Sequence, residues 1–173
     1  MALSQMGQQM ETVVVVWYVL NQTDSPLLAG LTATARMGFN FLALFAGAAA
    51  DIVPRKTLLV TAQSAMAILA ILMLVLIVTG WIEVWHIFGI TMAAGLARIF
   101  QRPTAQSLGV DSVDQERIPN GVALLNAATN FALVVGPLLG GVLFDMFGPE
   151  GAYAMVAAFN VLSGIAVLCI GTT

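Results

Sequence analysis

Residues 57–79 read TLLVTAQSAMAILAILMLVLIVT, with no acidic or basic side chain anywhere in the run. At roughly 1.5 Å per residue, a helix of this length covers a hydrocarbon core of about 30 Å. The alternative, a membrane strand, is short and alternates apolar with polar residues. This run is long and apolar on most faces. The same pattern recurs on either side, at 2–20 and 27–50 before it and at 81–100, 121–144 and 152–170 after it. Polar turns separate the runs at 21–26, 51–56, 80, 111–117 and 145–151. The expected fold class is therefore all-α transmembrane, a six-helix bundle forming one domain over residues 1–173.

Composition points the same way. Hydrophobic residues make up 60% of the chain and charged residues 9%, against roughly 45–50% and about 25% in ordinary globular proteins. Six Lys/Arg and nine Asp/Glu cannot clothe a soluble domain of 173 residues. A net charge of −3 excludes a basic nucleic-acid face. A single cysteine, Cys169, excludes an intrachain disulfide and a cysteine-based zinc site. With one histidine, His86, beside Trp85, the sequence offers no cluster for intramembrane catalysis. No metal, no cofactor and no enzyme activity are expected.

Lys and Arg set the orientation. Arg55 and Lys56 follow the second run, and Arg98, Arg102 and Arg117 cluster at and beyond the end of the fourth. The turns at 21–26, 80–84 and 145–151 hold Asp24, Glu83, Asp145 and Glu150 but no basic residue. The positive-inside rule makes the basic side cytoplasmic, and with it both termini. Trp17, Tyr18, Trp81, Trp85 and Tyr153 are then expected at the outer interface.

Three local patterns carry more than topology. Residues 47–56 read GAAADIVPRK, residues 98–105 read RIFQRPTA, and residues 136–141 read GPLLGG. In the last, Pro137 frees a backbone carbonyl, while Gly136, Gly140 and Gly141 let a neighbouring helix lie close. The segment is expected to act as a kinked packing helix, or as a bend against a partner domain.

With these patterns the sequence resembles the major facilitator superfamily. Gly47, Asp51, Arg55 and Lys56 match its loop 2–3 signature G-x-x-x-D-R-x-G-R-[RK], with Ile52 and Pro54 departing from it. Gly136, Pro137, Gly140 and Gly141 match the G-P-x-x-G-G signature of proton-coupled exporters. Residues 23–27, 46–53 and 98–103 are similar to the bacterial branch holding the enterobactin exporter and macrolide-efflux proteins. The resemblance implies a secondary active exporter in the bacterial inner membrane. Such an exporter moves a small amphipathic compound against protons, by rocking two six-span halves around a cavity. This chain would be the N-terminal half. Its Met1 falls inside the first span, so the resemblance implies a fragment lacking the start of that span and the C-terminal half; a half-size protein that dimerises is the other option. The expected partners are the lipid bilayer, protons, a small-molecule substrate and the other half. An importer of the same fold and a non-transporting scaffold are the rival readings. The resemblance also implies that Gly47, Asp51, Arg55 and Lys56 form a cytoplasmic latch. Arg98 is placed with them, one turn inside the end of the fourth span and able to snorkel outward or pack with Asp51.

The transporting residues are sought at mid-depth. On a helix at roughly 100° per residue, Ser4, Gln5, Gln8, Gln9, Glu11 and Thr12 share one arc of the first span, and this face is expected to line a wet cavity. Glu11 lies about twelve residues before the first turn and Arg36 about twelve after it, so both sit some 15–18 Å below the boundary at roughly 1.5 Å per residue. Opposite charges at matched depth on adjacent helices suggest a pair. The pair reads either as a proton-carrying carboxylate with its modulator or as a static bridge fixing helix packing. Asn126 and Asn130, one turn apart, are cavity candidates or interhelical hydrogen-bonders. Asn160, Asn40 and Gln63 are taken in the same way.

Overall fold

The computed structural model describes residues 2–37, 55–111 and 118–170, and among these there is helix and no strand. The helices are α1 (Ala2–Thr23), α2 (Pro26–Met37), α3 (Arg55–Thr79), α4 (Val84–Asp111) and α5 (Ile118–Ile170).

The turns are written in the sequence. At the end of α1 the Thr23 hydroxyl donates to the Val19 carbonyl (2.7 Å), and Asp24 N–H donates to Leu20 O (2.8 Å). Asp24 takes a positive φ of 47°, a conformation that Asn and Asp tolerate better than bulkier residues. Ser25 then caps α2, its hydroxyl accepting from Leu28 N–H (3.4 Å), and Pro26 fills the first helical position. Gly80, at φ 70°, closes α3.

α5 is interrupted. Its apolar stretch Gly121–Val167 counts 47 residues, about 70 Å of helix, more than twice a hydrocarbon core. Gly148 (φ 71°, ψ −175°) breaks it inside the turn expected at 145–151, with Pro149 opening the second arm. The arms double back, because both lie on α1. A Cβ at Gly140 would meet Met10, and one at Gly7 would meet Val156, Phe159 and Asn160.

α1 is the axis of the assembly. Met10, Val14, Val15 and Val19 are buried against Met73 and Ile77 of α3, Ile87 and Ile90 of α4, and Ala152, Tyr153 and Val156 of α5. The outside is apolar as well. Ile68, Ile71, Leu72, Val75 and Val78 on α3 and Phe131, Val134, Leu138 and Val142 on α5 are exposed. Water disfavours such a surface and acyl chains accept it. By length and composition, Thr57–Thr79 and Gly121–Val167 are long and apolar enough to cross a membrane. α1 and α4 fall outside that class because they carry the polar residues described next, and α2 is described over only 12 residues.

Candidate functional site

Ser4, Gln8 and Glu11 are spaced by four and three residues, which puts them on one stripe of α1. All three are buried. Among the described residues, side chains of Gln63, Arg98, Gln101, Arg36 and Tyr153 meet these three positions, while Gln5, Gln9 and Thr12 of the same arc are half-buried.

Glu11 is the centre. Arg98 of α4 donates from Nη2 to Glu11 Oε2 in a close ion pair. Arg36 Nη2 of α2 stands 3.5 Å from the same oxygen and donates to the Gln8 carbonyl at 3.3 Å. Tyr153 of α5 donates its hydroxyl to Glu11 Oε1 (3.1 Å). One carboxylate thus ties together four helices and carries two guanidiniums, so the cluster has a formal charge of +1. The Glu11 and Arg36 side chains are each 7% exposed and Arg98 is 17% exposed. At such depth an unpaired charge costs several kcal/mol, which is why these groups converge. Among the described residues, Arg36 Nη1 and Arg98 Nε are buried without a hydrogen-bond acceptor.

Below Glu11 the stripe continues into an amide network. Gln8 Nε2 donates to Gln101 Oε1 (2.7 Å) and to Ser4 Oγ (3.3 Å). Gln101 Nε2 donates to Gln63 Oε1 (2.5 Å) and to Ser4 Oγ (2.9 Å). Gln63 Nε2 donates to the Asn160 carbonyl (3.2 Å). The amides of Gln8, Gln63 and Gln101 therefore bond to one another and to Ser4 and the Asn160 backbone away from water.

Residues 1–172 match the family described as transmembrane secretion effector, within the major facilitator superfamily. The chain belongs to this family. No curated protein matches it. As a secretion-effector family member it is a transmembrane protein of a transporter fold, which accounts for both the apolar exterior and the buried polar stripe.

Several positions in this family member differ from their expected setting. Arg98 is not near the end of its helix: α4 continues past Phe100 to Asp111, so Arg98 lies mid-helix and turns to Glu11. Tyr153 leaves the interfacial belt and is 1% exposed against Glu11. Asn126 and Asn130 are exposed on the first arm of α5, apart from the Glu11 cluster. Helical dihedrals run through Pro137, and the break in α5 is at Gly148, in the expected turn. Gly136 and Gly140 act as a seat for α1, a Cβ at Gly136 meeting Gln9 Cβ at 2.7 Å, whereas Gly141 faces open space. Gly47 and Asp51 lie outside the described residues; Arg55 and Lys56 open α3. Gln101 was not singled out as a site residue in the sequence. Its place one turn beyond Arg98, at i+3, is the signal that would have found it once the helix was extended.

Proposed function

We propose that this chain works as one half of a secondary active exporter that moves a small amphipathic compound across the bacterial inner membrane in exchange for protons. Glu11 takes up and releases the proton. Arg36 and Arg98 hold its carboxylate between turnovers, and Tyr153 fixes its orientation. The observation that carries this is a single buried carboxylate shared by two arginines from two other helices.

Protonation of Glu11 removes the one negative charge of the cluster. The guanidiniums then lose their common partner, and the tie among α1, α2 and α4 is released. Loss of the proton restores it. A proton-linked change in helix association is what a rocking transporter requires. The Gln8, Gln63 and Gln101 amides sit next to this switch and bond to one another here; when the helices separate, their donors and acceptors become free for the polar part of a cargo, while apolar side chains suit its remainder. No bond in the cargo is made or broken, and no cofactor or metal is assigned. The basic residues at 55–56 favour a cytoplasmic location for that side and for both termini. The enterobactin-exporter and macrolide-efflux likeness favours a siderophore-like or drug-like cargo. Import by the same fold would use the same cluster in the opposite sense. A scaffold would use the same cluster only as a static tie among helices, with no change in it on protonation.

The test is Glu11→Gln in the full-length protein reconstituted into liposomes with an imposed pH gradient. Export that no longer follows the gradient is the expected result. Unchanged coupling would remove Glu11 from the role.

A further inference from the structure

A second site lies at the opposite end of α1. There Tyr18 and Gln22 of α1, Leu28 of α2 and the stretch Ile82–Phe88, His86 aside, line an open groove of about 550 Å³. That is within the range of about 300–1,000 Å³ that small ligands occupy. Tyr18 and Ile87 form a buried floor, Leu28, Ile82, Val84 and Phe88 the half-buried walls, and Gln22, Glu83 and Trp85 an exposed lip. Gln22 Nε2 donates to the Tyr18 hydroxyl (3.0 Å), so the polar side of the groove is already ordered.

The charge here has one sign. Glu83 stands on the lip, Asp24 is in the adjoining turn, and Asp145 and Glu150 flank Gly148. The edge contact between Trp17 and Phe144 (6.5 Å) brings that hairpin to the same end. No Lys or Arg occurs at 21–26, 80–84 or 145–151. Among the described residues both ion pairs belong to Glu11, so Glu83 has no cationic partner. Trp17, Trp81 and Trp85 are all more than half exposed at this end, as side chains at headgroup level are.

We propose that this groove holds a membrane phospholipid whose headgroup ends in an ammonium. The ammonium meets the Glu83 carboxylate and the Trp85 indole face, and the upper acyl chain lies among Leu28, Ile82, Ile87 and Phe88. An anionic headgroup is disfavoured by the four carboxylates. A lipid fits better than a dissolved cation because the groove opens at the level of the indoles, where headgroups are always present. The site uses none of the Glu11 cluster, so it stands apart from the export mechanism.

The test is native mass spectrometry of the full-length protein in detergent, titrated with phosphatidylethanolamine and phosphatidylglycerol of identical chains. Wild type should retain the ethanolamine lipid about fivefold better, in keeping with one charge contact at an exposed site. Glu83→Gln should abolish the preference while thermal unfolding in detergent stays unchanged, since Glu83 is exposed. Equal retention of the two lipids by the wild type, or a preference that survives Glu83→Gln, overturns the proposal. A third arm adds dodecylammonium. If it binds and the ethanolamine lipid fails to displace it, the groove takes a single-chain amine rather than a phospholipid and the lipid assignment falls.

Discussion

Replacing Gly136 with alanine tests whether the GPLLGG segment is a seat for α1. A Cβ at this position would lie 2.7 Å from Gln9 Cβ and 3.2 Å from the Met6 carbonyl. Carbon atoms sit comfortably at about 3.5–4.0 Å, so the shortfall to Gln9 is about 1 Å. Both obstacles are fixed to the α1 backbone, and no rotamer change relieves them; the helices must separate. Overpacking of this kind costs roughly 1–3 kcal/mol, offset by about 1 kcal/mol from the better helix propensity of alanine. Gly136→Ala should therefore lose about 0–2 kcal/mol. Gly141→Ala, with nothing within 4 Å of its Cβ, should keep the propensity gain of about 1 kcal/mol. Denaturant unfolding of the full-length variants in detergent, followed by tryptophan fluorescence, measures the difference. If Gly136→Ala proves as stable as Gly141→Ala, α1 does not rest on this seam and the packing described for α5 is refuted.

The two arginines should not be equivalent. Arg98→Gln breaks the closer ion pair and should cost about 3–5 kcal/mol, with Arg36→Gln costing less; equal losses in the same unfolding assay would contradict the geometry. The double variant Glu11→Gln/Arg98→Gln should be less damaging than the sum of its singles by about 0.5–3 kcal/mol, and strict additivity would deny that the two residues interact. Gln101→Leu leaves Gln8, Gln63 and Ser4 short of partners and should cost about 1–3 kcal/mol for each orphaned group. A neutral result would mean that the amide network contributes nothing to holding the helices.

Much of this arrangement was legible in residue order. The polar turn at 21–26 and the Gly-Pro step at 148–149 fixed where chains of apolar residues had to reverse, since no apolar side chain competes for those conformations. Equal distances from the first turn brought Glu11 and Arg36 together, because helix rise is constant. Arg98 was not legible in the same way. Arg102 and Pro103 imitate a helix end, yet α4 runs on to Asp111, and the extra turns move Arg98 from the rim to the middle. Tyr153 was hidden by the opposite ambiguity: a tyrosine near an apolar boundary suits an interface, and only the placement of the second arm of α5 against α1 gives its hydroxyl a carboxylate to meet. Periodicity marks which face of a helix is polar but not which neighbour covers it. This is why the stripe on α1 was visible in the sequence as a polar face, while the amides of Gln63 and Gln101 that meet it were not.

The stripe on α1 also bears on biosynthesis. Glu11 is made early, but Arg98 follows 87 residues later and Tyr153 follows 142 residues later. At about 5–20 residues per second the ribosome needs roughly 7–28 s to deliver the last of them. Arg36 follows Glu11 after only 25 residues, but until Arg98, Gln101 and Tyr153 emerge the carboxylate and the Gln8 amide of the first helix have an incomplete set of partners. Delivery of this protein to the bilayer therefore calls for a holding station, an insertase or a chaperone surface, that shelters the first helix until its late-arriving contacts emerge.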